Sequence, residues 1–324
     1  MIPLNLNNSF NQVKEESDLD IGDLKLISTG SPTMTIKRPN LKLTLKHLGK
    51  SKTNTKSGFN KITSKYEVGK NIGTGTYSSV KLATEKDTGR KVAIKVSKRT
   101  NSREMAKKEY DTLKSLDQKT IIQPIEFIEN DLKDESYLVL EYFAGMTLDK
   151  YIEEYGHLNE DETANIAQTL SNCLSYLHSK GIAHRDIKPQ NILINDDKEI
   201  KLIDFNISKE GKSKCTDEEK LTKFSRIFYT QISSPLYAAP EIKGDKLYTE
   251  SVDIWGLGII LFTCLFGKMS DSKEPICFKD NTNNIEDLIQ SSTLENAWLQ
   301  QMLLDCLNDD QDLRPSSEEL LEYF

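Results

Sequence analysis

No C-x-x-C pair occurs in the sequence, and its five cysteines (Cys173, Cys215, Cys264, Cys277, Cys306) are odd in number and widely spaced, which excludes a disulfide framework and a cysteine-based zinc site. A long hydrophobic run is also missing. The most apolar stretch, residues 254–267, covers 14 positions, too few to cross a bilayer and suited to a buried core helix. Residues 1–20 lack a basic start followed by an apolar run and a small-residue cleavage site, so no secretory signal is expected. Basic residues are not in excess: 43 Lys and Arg against 50 Asp and Glu leave a net charge of −7, which makes nucleic acid an unexpected partner. A reducing, intracellular setting follows, cytoplasmic in the first place and nuclear in the second.

What is present points to more than one unit, because 324 residues at roughly 150 per domain allow about two. Charge is uneven along them. Residues 31–65 carry eight lysines and one arginine and no acid, in a Lys, Thr, Ser, Asn and Gly background too polar to bury a core. Residues 1–65 are therefore expected to be a mostly disordered extension, basic from residue 31. From Tyr66 the pattern changes to short β-branched runs separated by turns, KYEVGKNIG, SSVKLATE and KVAIKVS, which predicts an antiparallel meander. Met105, Tyr110, Leu113 and Leu116 recur at helical spacing, and IIQPIEFIE and SYLVLEYF predict two further strands. After Met146 the strongest segments are helical, residues 161–180 and 251–267, with short strands near Ile192 and Lys201. The fold class is α+β, with a small sheet-rich lobe over 66–143 and a larger helical lobe over 144–324.

Gly73, Thr74, Gly75, Thr76, Tyr77, Ser78, Ser79 and Val80 form a G-x-G-x-x-S-x-V turn between two predicted strands. Glycines let backbone N–H groups approach phosphate oxygens, although the same pattern also makes a plain hairpin. Val92, Ala93, Ile94 and Lys95 place a lysine stem in an apolar strand. A buried ammonium needs an anion, which Glu109 on the next helix can supply; the alternative is a strand-end lysine whose head reaches water.

Further on stand His184, Arg185, Asp186, Ile187, Lys188, Pro189, Gln190 and Asn191, then Asp204, Phe205 and Asn206, then Ala239, Pro240 and Glu241, then Asp253, Ile254, Trp255, Gly256, Leu257 and Gly258. With the earlier turn and lysine, this ordered set resembles the eukaryotic protein kinase family over residues 66–324. The resemblance implies a bilobal kinase-like fold and the transfer of the γ-phosphate of ATP, with Mg²⁺, to Ser or Thr hydroxyls of a protein substrate. It implies that Asp186 receives or orients the hydroxyl proton, that Asn191 and Asp204 hold magnesium, and that Lys95 and Glu109 form the pair that grips the nucleotide phosphates. Lys188 would reach the γ-phosphate and marks the serine/threonine type. The nucleotide would lie among Ile72, Gly73, Thr74, Gly75, Thr76, Tyr77, Ser78, Val80, Ala93, Leu140, Glu141, Phe143 and Leu193. Leu113, Ile125, His184 and Phe205 would stack between the lobes, and Glu241 would pair with Arg314. His178 is expected simply to end its helix near the last carbonyls.

Two positions depart from the family pattern: Asn206 and Ser78 stand where it has glycine. Asn is the non-glycine residue that best tolerates positive φ at 206, and the Ser78 side chain is expected in solvent. The rival class is a pseudokinase, a nucleotide-binding or scaffold module without turnover. Thr230 matches a position phosphorylated in many family members, with Arg185 and Lys209 matching the residues that bind that phosphate, so an upstream activating kinase is implied. Ser234 matches a residue bonded to the catalytic Asp and Lys. Family members that select basic residues upstream of the acceptor usually carry carboxylates where this chain has Thr147 and Gln190.

Overall fold

The apolar residues of the two central strands, KVAIKVSK and ESYLVLE, point to both sides of their sheet, so both of its faces must be covered there. The structure is a computed structural model that describes residues 58–75, 78–98, 100–130, 134–210, 212–213, 226–227, 237–242, 248–267 and 282–324. Its strands β1 (Tyr66–Thr74), β2 (Ser78–Glu85), β3 (Lys91–Lys98), β4 (Pro124–Asn130) and β5 (Glu135–Glu141) form an antiparallel sheet in the order β1-β2-β3-β5-β4. Val92, Ile94 and Val96 on β3 join Tyr137 and Val139 on β5 in one core, whereas Leu138 and Leu140 belong to a second and Ala93 packs against it. Helix α2 (Thr100–Lys114) packs on β3, β4 and β5 and brings Leu113 to the second core.

The first core is closed by a helix the sequence did not announce. α1 (Gly58–Lys65) packs on β1 and β4 and inserts Ile62, 1% exposed, beside Tyr66. Disorder through residue 65 is therefore wrong for the last eight positions. The physical reason is the apolar outer face of the sheet, which Ile62 of this short helix helps to keep from water; burying such a side chain contributes about 1.5–3 kcal/mol. Glu126 fixes the joint by accepting from Lys65 Nζ at 2.7 Å and from the Tyr66 hydroxyl.

A register shift in β4 corrects a second expectation. Pro124 pairs with Leu140 but Glu126 already pairs with Val139, so Ile125 is the extra residue of a bulge. Ile125 consequently packs on the α1 side, and Phe127, 5.8 Å from the Tyr110 ring, takes the other face with Leu113. A one-residue slip exchanges faces, which is why Ile125 does not join Leu113 and Phe205.

The helical part comprises α3 (Leu148–Tyr155), α4 (Glu160–Ser179), α5 (Ser251–Phe266), α6 (Thr282–Ser291) and α7 (Ala297–Cys306). α4 starts at a capping box, with Asn159 Oδ1 accepting from the Glu162 N–H at 2.8 Å and Glu162 Oε2 accepting from the Asn159 N–H at 3.2 Å. It buries Ile166, Leu170, Cys173, Leu174 and Leu177 against α5, which is buried along almost its whole length. Among the described residues no helix is long and apolar enough to cross a membrane. Cys173, Cys264 and Cys306 are free and buried, and burial pushes the Cys173 thiol up to about 12, so these are packing residues; Cys215 and Cys277 lie outside the described residues. Short strands finish the scaffold: β6 (Met146–Thr147), β7 (Ile182–Ala183), β8 (Ile192–Ile194), β9 (Ile200–Leu202) and β10 (Lys209–Glu210).

Candidate active site

Between the sheet and the helices lies a cleft of about 800 Å³. Its upper wall comes from β1 to β3. Gly73 is paired with Val80, and Val80 with Lys95, so the glycine turn hangs directly over the lysine. The Gly75 N–H donates to Ser78 O at 2.8 Å and closes the turn. Of the residues named for the nucleotide, Ile72, Gly73, Thr74, Gly75, Ser78, Val80, Ala93, Lys95, Leu140, Glu141, Phe143 and Leu193 all line the cleft; Thr76 and Tyr77 lie outside the described residues. Ser78 is half-buried in that lining, where the sequence placed its side chain in solvent. Ile122, Ile203, Lys70, Lys150 and Tyr237 line it as well and carried no local signal in the sequence beyond being apolar or charged.

Lys95 is the central charge. Its Nζ donates to Glu109 Oε1 and Oε2 at 2.8 and 2.7 Å and to Asp204 Oδ1 at 2.8 Å. The lysine snorkelling to water is thus excluded: Lys95 is 8% exposed and Glu109 1%. Burial opposes the ammonium, but the two carboxylates outweigh it and raise its pKa above the ordinary lysine value. Burial also pushes Glu109 up, against the pull of Lys95. For Asp204 burial acts upward too, yet Lys95 holds the carboxyl below the usual range.

The lower wall is a hairpin problem solved by pairing. β8 and β9 run antiparallel with Ile192 opposite Leu202, and the Ile203 N–H donates to Asn191 O at 2.9 Å. Asn191, just before β8, and Asp204, two residues after β9, are thereby held side by side. Asn191 Nδ2 donates to Asp186 O at 2.8 Å and to Asp186 Oδ2 at 2.9 Å, and Lys188 Nζ donates to the same Oδ2 at 2.7 Å. Asp186, Lys188, Asn191 and Asp204 therefore converge with Lys95 and Glu109, while Ser234 and Thr230 lie outside the described residues.

Left-handed backbone occurs at Arg185 (φ 69°) and Asp204 (φ 67°) and not at Asn206, so the departure from glycine at 206 causes no φ strain. The His184 ring meets Phe205 edge-on at 4.7 Å, and its Nε2 lies 3.1 Å from Ile203 O, a structural role as expected. His178 is not a mere helix end: its Nε2 lies 3.0 Å from Asp253 Oδ2. The reason is the close packing of α4 on α5, which the linear sequence does not display. Glu241 and Arg314 do pair, through Nη1–Oε1 at 2.7 Å and Nη2–Oε2 at 2.9 Å.

The donor set suits a hard divalent cation bound together with phosphates. Asn191 spends its amide nitrogen on Asp186 and Asp204 one oxygen on Lys95, leaving Asn191 Oδ1 and Asp204 Oδ2 as oxygen donors on the cleft wall. No cluster of three or more His, Cys, Asp or Glu ligands occurs among the described residues. Two protein oxygens with phosphate and water completing the shell is the habit of Mg²⁺ and not of zinc or calcium.

Sequence comparison bears on the same residues. The family model for the protein kinase domain matches residues 66–324. The chain is 33% identical, over 231 residues, to the probable serine/threonine-protein kinase MARK-C of Dictyostelium discoideum, covering 68% of this chain and 28% of the relative. It is 35% identical over 216 residues to the SNF1-related protein kinase catalytic subunit alpha KIN12 of Arabidopsis thaliana, 65% of this chain and 41% of that one. Against the CBL-interacting protein kinase 32 of Oryza sativa subsp. japonica it is 33% identical over 227 residues, 68% of this chain and 50% of the other. The match thus spans half or less of each relative's length.

Proposed function

The chain belongs to the protein kinase domain family, and from that premise we propose that it transfers the γ-phosphate of Mg·ATP to serine or threonine hydroxyls of protein substrates. The observation that carries the proposal is the convergence of Lys95, Glu109 and Asp204 in one ion cluster beside the Asp186, Lys188 and Asn191 network. Phosphoryl transfer needs positioning and charge neutralisation more than covalent chemistry, and this cleft supplies both.

In this reading the apolar walls at Val80, Ala93 and Leu193 sandwich the base, and Lys95 is held by Glu109 to meet phosphate oxygens. Asn191 and Asp204 hold magnesium, which neutralises phosphate charge when bound. Asp186 accepts the proton of the substrate hydroxyl as the oxygen–phosphorus bond forms and the bond to the β-phosphate oxygen breaks, leaving ADP. Lys188 steadies both Asp186 and the transferred group. Thr230 is the regulatory phosphosite, acted on by an upstream kinase. The backbone of β10 supports this reading, because it pairs Lys209 with Ala183, two residues before Arg185. Ser234 assists Asp186 and Lys188.

The test is Mg·ATP-dependent phosphate incorporation into a generic protein substrate by the wild type, Asp186→Asn and Lys95→Met. Incorporation by the wild type alone is expected. Equal background in all three would favour a nucleotide-binding scaffold. Thr230→Ala is expected to cut the wild-type rate, and undiminished activity would refute the regulatory assignment.

A further inference from the structure

The side of the cleft nearest Asp186 presents cations and amides, and among the described residues each cleft-lining carboxylate is paired with a lysine. Glu109 and Asp204 are bound by Lys95, and Glu141 accepts from Lys201 Nζ at 2.7 Å. α3 packs on the short 3₁₀ turn Pro189–Asn191, so Thr147 and Lys150 stand on the same side as Gln190, four residues from Asp186. Lys70 faces the cleft from β1 on the opposite lip. Lys70 and Lys150 are both exposed, and neither takes part in an ion pair among the described residues. Gln190 Nε2 donates to the Tyr237 hydroxyl at 3.1 Å, while its buried Oε1 accepts no hydrogen bond.

Taking the kinase reading above as given, we propose that this region is a peptide subsite that selects acceptors flanked by Asp or Glu. The two lysines attract carboxylate side chains, and Gln190, a neutral amide, adds no negative charge beside them. The electrostatics are lopsided: a carboxylate entering here meets free ammonium groups, whereas an arginine meets the same positive charge with no unpaired carboxylate among the described cleft-lining residues to offset it. Like-charge juxtaposition is a means of rejecting the wrong partner. Exposed lysines keep their attraction only within about 8–10 Å at physiological salt, so the preference belongs to residues close to the acceptor.

The experiment compares three peptides with the same Ser or Thr acceptor, flanked by Glu, by Ala or by Arg, using the full chain and Mg·ATP. The Glu peptide is expected to exceed the Arg peptide in kcat/KM by about fivefold for each lysine engaged, with the ratio falling as salt is raised. Lys150→Glu, Lys70→Glu and Gln190→Glu should each move the ratio toward the Arg peptide through the peptide KM. A wild-type ratio of one or below, or a Lys150→Glu effect confined to the KM for ATP, overturns the proposal. Fluorescence anisotropy of labelled peptides with Mg·ADP present reads the same ratio without turnover. Preferential binding of the Glu peptide with no phosphate transfer therefore sinks the catalytic reading alone, and equal binding of all three sinks the subsite.

Discussion

His178 Nε2 lies 3.0 Å from Asp253 Oδ2, joining the last turn of α4 to the first turn of α5 through a carboxylate with no exposed surface. The same Asp253 accepts the main-chain N–H of His184 at 2.8 Å and of Arg185 at 2.7 Å. One side chain thus fixes two helices and the segment that carries Asp186, and it satisfies the N–H of Arg185 in its left-handed conformation. Asp253→Ala strands all of these donors and is expected to cost about 3–5 kcal/mol. Asp253→Asn, which keeps one acceptor oxygen, should cost less. Urea unfolding midpoints measure both, and equal stability of wild type and Asp253→Ala would sink this account.

The same carboxylate sets an acid limit. Burial would raise the Asp253 carboxyl, but His178, His184 and the Arg185 N–H hold it below the usual range, and Lys95 does so for Asp204. A carboxyl that is more acidic folded than unfolded binds its proton first in the unfolded chain. The stabilisation is complete above the ordinary carboxylate range of about pH 4 and is lost as pH falls through the lowered folded values. A melting series from pH 7 to pH 2 should be nearly level down to about 4 and then fall, with a shallower acid fall in Asp253→Asn.

Much of this site is legible without coordinates, because the groups proposed to act on phosphate sit in short ordered motifs: Lys95, Asp186, Asn191 and Asp204 need only β3, β8 and β9 to bring them together. What escapes reading depends on unequal registers and distant packing. Ile125 changes face because of one extra residue in β4, and His178 finds Asp253 75 residues away. α1 escapes because its sequence, GFNKITSK, has few apolar residues and only Ile62 among the described side chains is buried; the demand for a cover resides in the sheet, not in the helix.

That demand is testable at Ile62, 1% exposed against Tyr66 and the outer face of the sheet. Ile62→Ala removes three buried carbons and should destabilise the protein by about 2–4 kcal/mol. The neighbouring exposed Lys61→Ala serves as control and should change stability by less than about 0.5 kcal/mol. Equal melting curves for the two variants would mean that α1 contributes nothing to the sheet.

At Gly256, α5 comes close to the segment carrying Asp186. A Cβ there would stand 2.6 Å from both the Cβ and the carbonyl oxygen of Ile187, the residue between Asp186 and Lys188. Backbone cannot yield as a side-chain tip can, so Gly256→Ala must push that segment outward, at about 1–3 kcal/mol. The displacement touches Asp186 and leaves the glycine turn alone. Turnover should therefore fall well before ADP affinity does; a parallel fall in both would indicate general unfolding instead.

Arg314 and Glu241 form a pair whose worth depends on how it is broken. The guanidinium is wholly buried, forks onto both Glu241 oxygens, donates from Nε to Asn308 O at 2.8 Å and stacks 5.0 Å from the Trp255 ring. Removing one partner leaves the other charged in the core, so Arg314→Ala and Glu241→Ala should each cost about 3–5 kcal/mol. Removing both charges together spares the protein that unpaired ion, and Arg314→Met with Glu241→Leu should lie clearly closer to wild type than either single alanine variant. A double variant that loses as much as the two singles added would mean that the ion pair itself, and not the cost of stranding a charge, holds this corner of the helical lobe.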